Sequence, residues 1–288
     1  MIKVSYFQEF LDAYYEDIAH RRFKNETNKS LKDIYDERFI KIIGVDLKTL
    51  LCGSFEELPM LDLSSEQKEE LKKVFNYQDK FQVHISELFK KYLDIHTCYY
   101  CNIDFINVFK GKNKNILTGY TLDHILDKAS YPYLALSVSN LIPTCYICNS
   151  KLKKDRSIGN RVPTSKDFDF DKRVKFKTFI KSNNLQINSK DSFELLLKED
   201  FSDIYDKYMD VLELDGRYEY HKYKVLELIE KRKNYPDSRI KELAKIAQKT
   251  EEEVKQDIFG EYLLDEEDLH KRPLSKLIKD IANELGLD

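Results

Sequence analysis

Apolar residues recur at helical spacing along the first third of the chain. Phe7, Phe10, Leu11, Tyr14 and Ile18 share one face of a helical repeat. Ser64-Ser65-Glu66-Gln67 sets a serine cap ahead of acidic first-turn positions and opens a second helix that runs through Phe75. A third segment, Lys80 to Tyr92, carries Phe81, Ile85, Leu88 and Phe89 on one side. Such stripes are the pattern of core-facing surfaces. They predict a helical region over residues 1–95. Cys52, in LLCGS, has no cysteine or histidine nearby and reads as a small buried residue.

The helical period stops at residues 96–160. KGKNKNILTG is polar and reads as a loop or hairpin turn, and ILTGYTLDHI has the composition of a strand. NSKLKKDRS, from Asn149 onward, reads as a short helix. Strand, loop, strand and helix make a small β-β-α unit. Beyond 160, RVKFKTFI alternates apolar and basic residues, and SFELLLK pairs with it across SNNLQINSKD as a β-hairpin near 173–198. Helices are expected over 200–214, 218–233, 237–248, 250–259 and 273–285. Pro236 and Pro273 stand at helix starts, and Thr250-Glu251-Glu252-Glu253 has the form of a capping box. DEEDLHKRP at 265–273 reads as a solvated connection. The expected fold class is α+β, a mostly helical chain around a small central module at 96–160, with a mainly helical region at 161–288.

Composition supports this picture. In 288 residues there are only 8 Gly and 6 Pro, which argues against a loop-rich or all-β chain. No apolar run approaches the roughly 20 residues that span a bilayer, and the N-terminus lacks the apolar core of a leader. A cytoplasmic protein without membrane contact is therefore expected, with thiols kept reduced. The net charge of −3 hides an asymmetry: residues 98–161 hold seven Lys and two Arg against four Asp and no Glu. The central module is basic and its flanks acidic, as a phosphate backbone favours.

Four of the five cysteines fall into two Cys-x-x-Cys pairs, Cys98/Cys101 in CYYC and Cys145/Cys148 in CYIC. Two such knuckles supply the four sulfurs of a tetrahedral structural zinc. A redox dithiol is the other use of this spacing. The 43 residues between Cys101 and Cys145 exceed an ordinary zinc ribbon, so something is inserted. His96 stands just before the first knuckle, but four sulfurs complete the set without it. The insert carries Asp123-His124 in YTLDHILDK and Asn140 in SVSNLIP, and Asn149 follows the last cysteine. His20, His84, His221 and His270 have no such company and read as ordinary.

LDH at 122–124, SNLIPTC at 139–145 and CYICNSKLK at 145–153 resemble an HNH endonuclease of the four-cysteine zinc type. The resemblance covers about residues 96–160. It implies a ββα-metal core in which His124 is the general base, Asp123 and Asn149 bind a catalytic divalent ion (Mg²⁺ or Mn²⁺), and Asn140 ties down the loop between the strands. Many members have Pro where this chain has Asp127. As context it implies bacterial restriction or anti-phage (antiviral) defence, at times beside a partner ATPase. Homo-oligomerisation stays open.

The chemistry is coherent. A neutral imidazole takes a proton from water at physiological pH. A carboxylate and an amide oxygen suit a hard divalent ion and leave positions for phosphate and water. Adjacent residues on a strand point to opposite faces, so Asp123 and His124 converge only where the strand bends or ends. Lys151, Lys153, Lys154 and Arg156 are candidate contacts to a nucleic-acid backbone, and Tyr99 and Tyr100 read as packing residues. DNA is the expected partner. RNA cleavage, a zinc-stabilised binding module without catalysis, and a zinc-stapled interaction scaffold remain open.

Overall fold

The computed structural model describes residues 1–23, 28–112, 116–181, 187–260 and 266–287. Parts of three sequence expectations lie outside these: the tip of the KGKNKNILTG turn, the start of the SNNLQINSKD connection, and residue 265. The chain is α+β, with short helices and, among the described residues, three separate two-stranded antiparallel sheets. Among the described residues no helix is long and apolar enough to cross a membrane.

The N-terminal helices form where the apolar spacing places them. Helix Gln8–Ala19 buries Phe10, Tyr14 and Ile18 and packs on helices Leu47–Cys52 and Gln82–Tyr92. Ser64 caps helix Ser65–Val74, its side chain accepting from Gln67 N in a capping box. Helix Gln82–Tyr92 is preceded by a π-helical turn, Tyr77–Phe81. Cys52 is half-buried and its thiol donates to Leu11 O.

ILTGYTLDHI is not one strand. β1 (Val108–Lys110) pairs with β2 (Ile116–Thr118), and β3 (Thr121–His124) pairs with β4 (Leu141–Thr144). The break falls at Gly119, whose N–H donates to Asn107 O at 2.9 Å. A Cβ there would lie 2.8 Å from that same oxygen, so only glycine fits the crossing between the two sheets. The second knuckle follows β4 directly and leads into a helical segment, Ile147–Lys153. This segment is of π type, with Lys154 N donating to Asn149 O at 2.8 Å.

β5 (Val174–Ile180) and β6 (Phe193–Glu199) form the expected hairpin. The single helix expected over 200–214 is instead two, Asp206–Val211 and Leu214–Glu219. Glu213 adopts a left-handed conformation between them (φ 51°), and the residues after β6 turn back as Tyr205 N donates to Glu199. Helix Lys222–Asn234 therefore starts later than expected, because Tyr218 belongs to the preceding helix. Helices Asp237–Ala247, Glu251–Phe259 and Ser275–Glu284 complete the chain. The regions 1–95, 96–160 and 161–288 all contribute to one buried core.

Helix Ser275–Glu284 locks β5 to the first cysteine knuckle through buried charge. Lys276 Nζ lies 3.1 Å from Asp171 Oδ1 and 2.6 Å from Asp280 Oδ2, and Lys279 Nζ lies 2.9 Å from Asp171 Oδ2. Asp280 also accepts from Phe176 N, while Lys276 N donates to Asn102 in the first knuckle. Burial pushes the Asp171 carboxyl up, but Lys276 and Lys279 outweigh it and hold it at about 2. An unfolded aspartate titrates near ~3.9. The depressed folded value therefore stabilises the protein above that pH, and the contribution, about 2 kcal/mol, is lost as pH falls towards 2. Denaturant titrations between about pH 4 and pH 2 should show a steeper loss of stability in the native protein than in Asp171→Asn; equal slopes would remove Asp171 from the acid response.

Candidate functional site

Two sites share the segment 96–154. In the first, the ligand sulfurs of Cys98, Cys101, Cys145 and Cys148 are all buried and lie within 4.8 Å of one another. A tetrahedral zinc with bonds of about 2.3 Å would set the sulfurs ~3.8 Å apart. The donor set therefore fits zinc. Ile103 N and Cys148 N each point at a cysteine sulfur, Cys101 and Cys145 respectively, at 3.4 Å. Such N–H donors are oriented to stabilise thiolate rather than thiol.

Arg217, on helix Leu214–Glu219, completes this environment. Its guanidinium donates to Cys148 Sγ at 3.1 Å, to Cys101 Sγ at 3.4 Å and to Asp104 Oδ2 at 3.2 Å. Four thiolates around Zn²⁺ would leave a net negative charge, and this half-buried guanidinium would offset it. Tyr218 OH donates to Cys101 O at 2.7 Å and Tyr208 OH to Tyr100 O at 2.9 Å, so the C-terminal region grips the knuckle backbone as well. Sequence reasoning missed Arg217, because nothing local marks it.

In the second site, Asp123, His124 and Asn149 line one cavity of about 450 Å³. β3 ends at His124, so the alternation that would send neighbours to opposite faces ends there too. The His124 Nε2–H donates to Ala135 O at 3.0 Å, and a carbonyl can only accept. The neutral ring therefore carries its proton on Nε2 and its lone pair on Nδ1. Burial pushes the imidazole down to about 4, although the Ala135 carbonyl works against this, so the ring is neutral at physiological pH. Tyr77 packs edge-on against it, with ring centroids 4.8 Å apart.

Asp123 is almost wholly buried. Its Oδ2 accepts from Tyr100 OH at 2.7 Å and lies 3.1 Å from Lys153 Nζ. Burial pushes its carboxyl up to about 6, and Lys153 and Tyr100 keep it from rising further. Asn149 donates from Nδ2 to Thr121 Oγ1 at 2.9 Å. The Thr121 hydroxyl in turn reaches Thr144 O, so its oxygen is the acceptor and the Asn149 carbonyl oxygen is the outward end of the amide. Asp123 Oδ1 and Asn149 Oδ1 are hard oxygen donors of the kind that suit Mg²⁺ or Mn²⁺.

Asn140 does not line this cavity. It is fully buried in the loop between β3 and β4. Its Oδ1 accepts from Leu126 N at 2.7 Å, and its Nδ2 donates to Leu126 O at 3.1 Å and Leu134 O at 3.0 Å. The N-terminal region grips the same loop: Tyr14 OH donates to Leu136 O at 2.7 Å and Ser137 Oγ to Leu50 O at 2.6 Å. Asp127 turns the loop by accepting from Ser130 N at 2.9 Å, and it also lines the cavity.

The four expected phosphate contacts divide. Lys154 is exposed and lines the cavity. Lys151 is exposed, with its ammonium over the Tyr146 ring. Arg156 is occupied by backbone, donating to Leu152 O and Val211 O. Lys153 is a correction: its side chain is 1% exposed, and it donates to His124 O at 2.7 Å besides pairing with Asp123. Burial takes that ammonium out of reach of a nucleic-acid backbone and makes it an internal counter-charge. Lys128, half-buried, is the lining cation that sequence reasoning passed over, although it follows His124 by four positions in the same loop. Tyr100, read as packing, is also an Asp123 partner.

No protein-family model, curated protein or solved structure matches this chain.

Purified protein should carry one zinc per chain by elemental analysis, and Cys145→Ser should lose the metal and lower the melting temperature sharply. Arg217→Met should keep the metal but release it to a chelator several-fold faster than wild type. Full thermal stability of Cys145→Ser would contradict a structural metal; unchanged release from Arg217→Met would remove the charge-offsetting role.

Proposed function

We propose that this chain is a metal-dependent phosphodiesterase of the HNH type that cuts nucleic acid, with DNA as the leading substrate. The single observation that carries the reading is the shared cavity. It gathers an imidazole with its lone pair on Nδ1, a carboxylate and an amide oxygen, beside the exposed Lys154. His124 would take the proton from an attacking water. Asp123 and Asn149 would hold a divalent ion, which when bound supplies charge neutralisation at the scissile phosphate and its leaving oxygen. Lys128 and Lys154 would hold phosphate oxygens at the cavity wall. Lys153 fixes both halves of the Asp-His pair at once, through the Asp123 carboxylate and the His124 carbonyl. Asn140 positions the loop that carries the Ala135 carbonyl, and so acts on the base only through that carbonyl.

A second reading is a zinc-stabilised nucleic-acid-binding module without catalysis. The Asp123–Lys153 pair favours it, since the ammonium already satisfies one carboxylate oxygen without a metal. The two readings part on a cleavage assay with plasmid, linear duplex, single-stranded DNA and RNA, each with Mg²⁺, Mn²⁺ or EDTA. The nuclease reading expects divalent-dependent cutting that EDTA stops. Binding with no cutting under any metal supports the second.

Variants separate the roles. His124→Ala should abolish cutting while leaving zinc content and melting temperature close to wild type. Asn149→Ala should weaken cutting with little loss of stability. Asn140→Ala should destabilise the fold by about 2–4 kcal/mol, because it strands buried backbone groups of Leu126 and Leu134. Retained cleavage in His124→Ala would remove the assigned base.

A further inference from the structure

The cavity has a second wall that the proposed chemistry does not use. Gln78, Gln82 and Ser86, spaced four apart along the π-helical turn and helix Gln82–Tyr92, line it together with the ββα residues. Residues at that spacing share one face of a helix. Gln78 and Gln82 are exposed, and each carboxamide offers two donors and an acceptor. Tyr120 lines the same cavity. It is 7% exposed, and its hydroxyl is buried beside Ser86 with no well-formed hydrogen bond among the described residues. A buried unpaired hydroxyl costs stability, so it marks a place where a ligand atom completes the bonding.

Size decides what enters. A volume of about 450 Å³ lies in the range of pockets that enclose small ligands, roughly 300–1,000 Å³. Duplex DNA instead seats on open protein surface, burying roughly 1,000–2,500 Å² of it. A cavity of this volume has room for about one nucleotide and none for the width of a duplex. A nucleotide that is unpaired, or swung out of its stack, can enter.

We propose that the substrate strand enters as single-stranded nucleic acid, with one nucleobase held against the Gln78–Gln82–Ser86 face and Tyr120. The inference rests on the nuclease reading of the same cavity, but it makes its own claim about substrate form. Lys128 and Lys154 hold the phosphate. The glutamine carboxamides meet the edge of the base, and the Tyr120 hydroxyl gives its proton to a substrate oxygen or ring nitrogen. DNA and RNA share this chemistry, so the test carries both.

The test is fluorescence anisotropy with His124→Ala protein, which keeps a cut from confusing binding. The probes are labelled 12-nucleotide single strands of DNA and of RNA, and the blunt DNA duplex of the same sequence, all in Mg²⁺. At least one single strand should bind at least tenfold tighter than the duplex. Gln82→Ala, at an exposed helix position, should weaken that binding roughly tenfold and flatten any preference among homopolymers. Tyr120→Phe should weaken it several-fold with little fall in melting temperature, because the hydroxyl has no well-formed hydrogen bond in the free protein. Equal or tighter binding of the duplex overturns the proposal, as does full single-strand affinity in both variants. Failure of the nuclease reading looks different: wild-type protein would bind the single strand as expected and cut nothing with any divalent ion.

Discussion

Four cysteine sulfurs held within 4.8 Å of one another are the constraint on which the rest is built. Cys98 and Cys101 precede the β-hairpins, Cys145 follows β4 directly, and Cys148 lies in the Ile147–Lys153 segment. Without a cation at their centre the four sulfurs repel. With one, both ends of the insert are pinned and β3, β4 and the following turn have fixed places. The positions of His124 and Asn149 follow from that frame: His124 ends β3, and Asn149 adjoins the last cysteine.

The flanks are part of this device. Arg217 sets its charge against two sulfurs, and tyrosines of the C-terminal region bind knuckle carbonyls. From the other side, Tyr14 and Ser137 join the N-terminal helices to the loop between β3 and β4. A small zinc module has too little apolar area to hold a long loop by itself. Here the loop is held by buried hydrogen bonds to helices nearly a hundred residues and more away in sequence. Helix Gln82–Tyr92, which lines the cavity, packs on helix Gln8–Ala19, which braces the loop. Stability and access to the site are thus set by one packing arrangement.

What was legible in the sequence was local. The paired cysteines, the serine and threonine caps and the alternating hairpin at 173–198 each depend on residues a few positions apart, and their counterparts stand at those places. The grouping of Asp123, His124 and Asn149 on one cavity was legible from motif order, and Asn140 holds the loop by three bonds no distant residue supplies. What was not legible depends on the tertiary fold. A lysine in a basic run reads as surface, and only the depth of Asp123 makes Lys153 an internal partner. Arg217 lies far along the chain from the sulfurs it faces. Gln78, Gln82 and Ser86 are polar positions on an amphipathic helix, which read as solvent-facing until the β-unit is packed beside them. The strand read through ILTGYTLDHI is broken by the close approach of Asn107 O at Gly119, a contact that hydropathy does not encode.

The proposed nuclease chemistry requires Asp123 and Asn149 together to hold a divalent cation in this cavity. Crystals soaked in Mn²⁺ test it most directly, by anomalous diffraction at the manganese edge. A manganese peak bounded by the Asp123 carboxylate and the Asn149 amide oxygen is the expected result. Anomalous density at the four sulfurs alone, with the cavity empty at saturating Mn²⁺ and a single-stranded oligonucleotide bound, would contradict it.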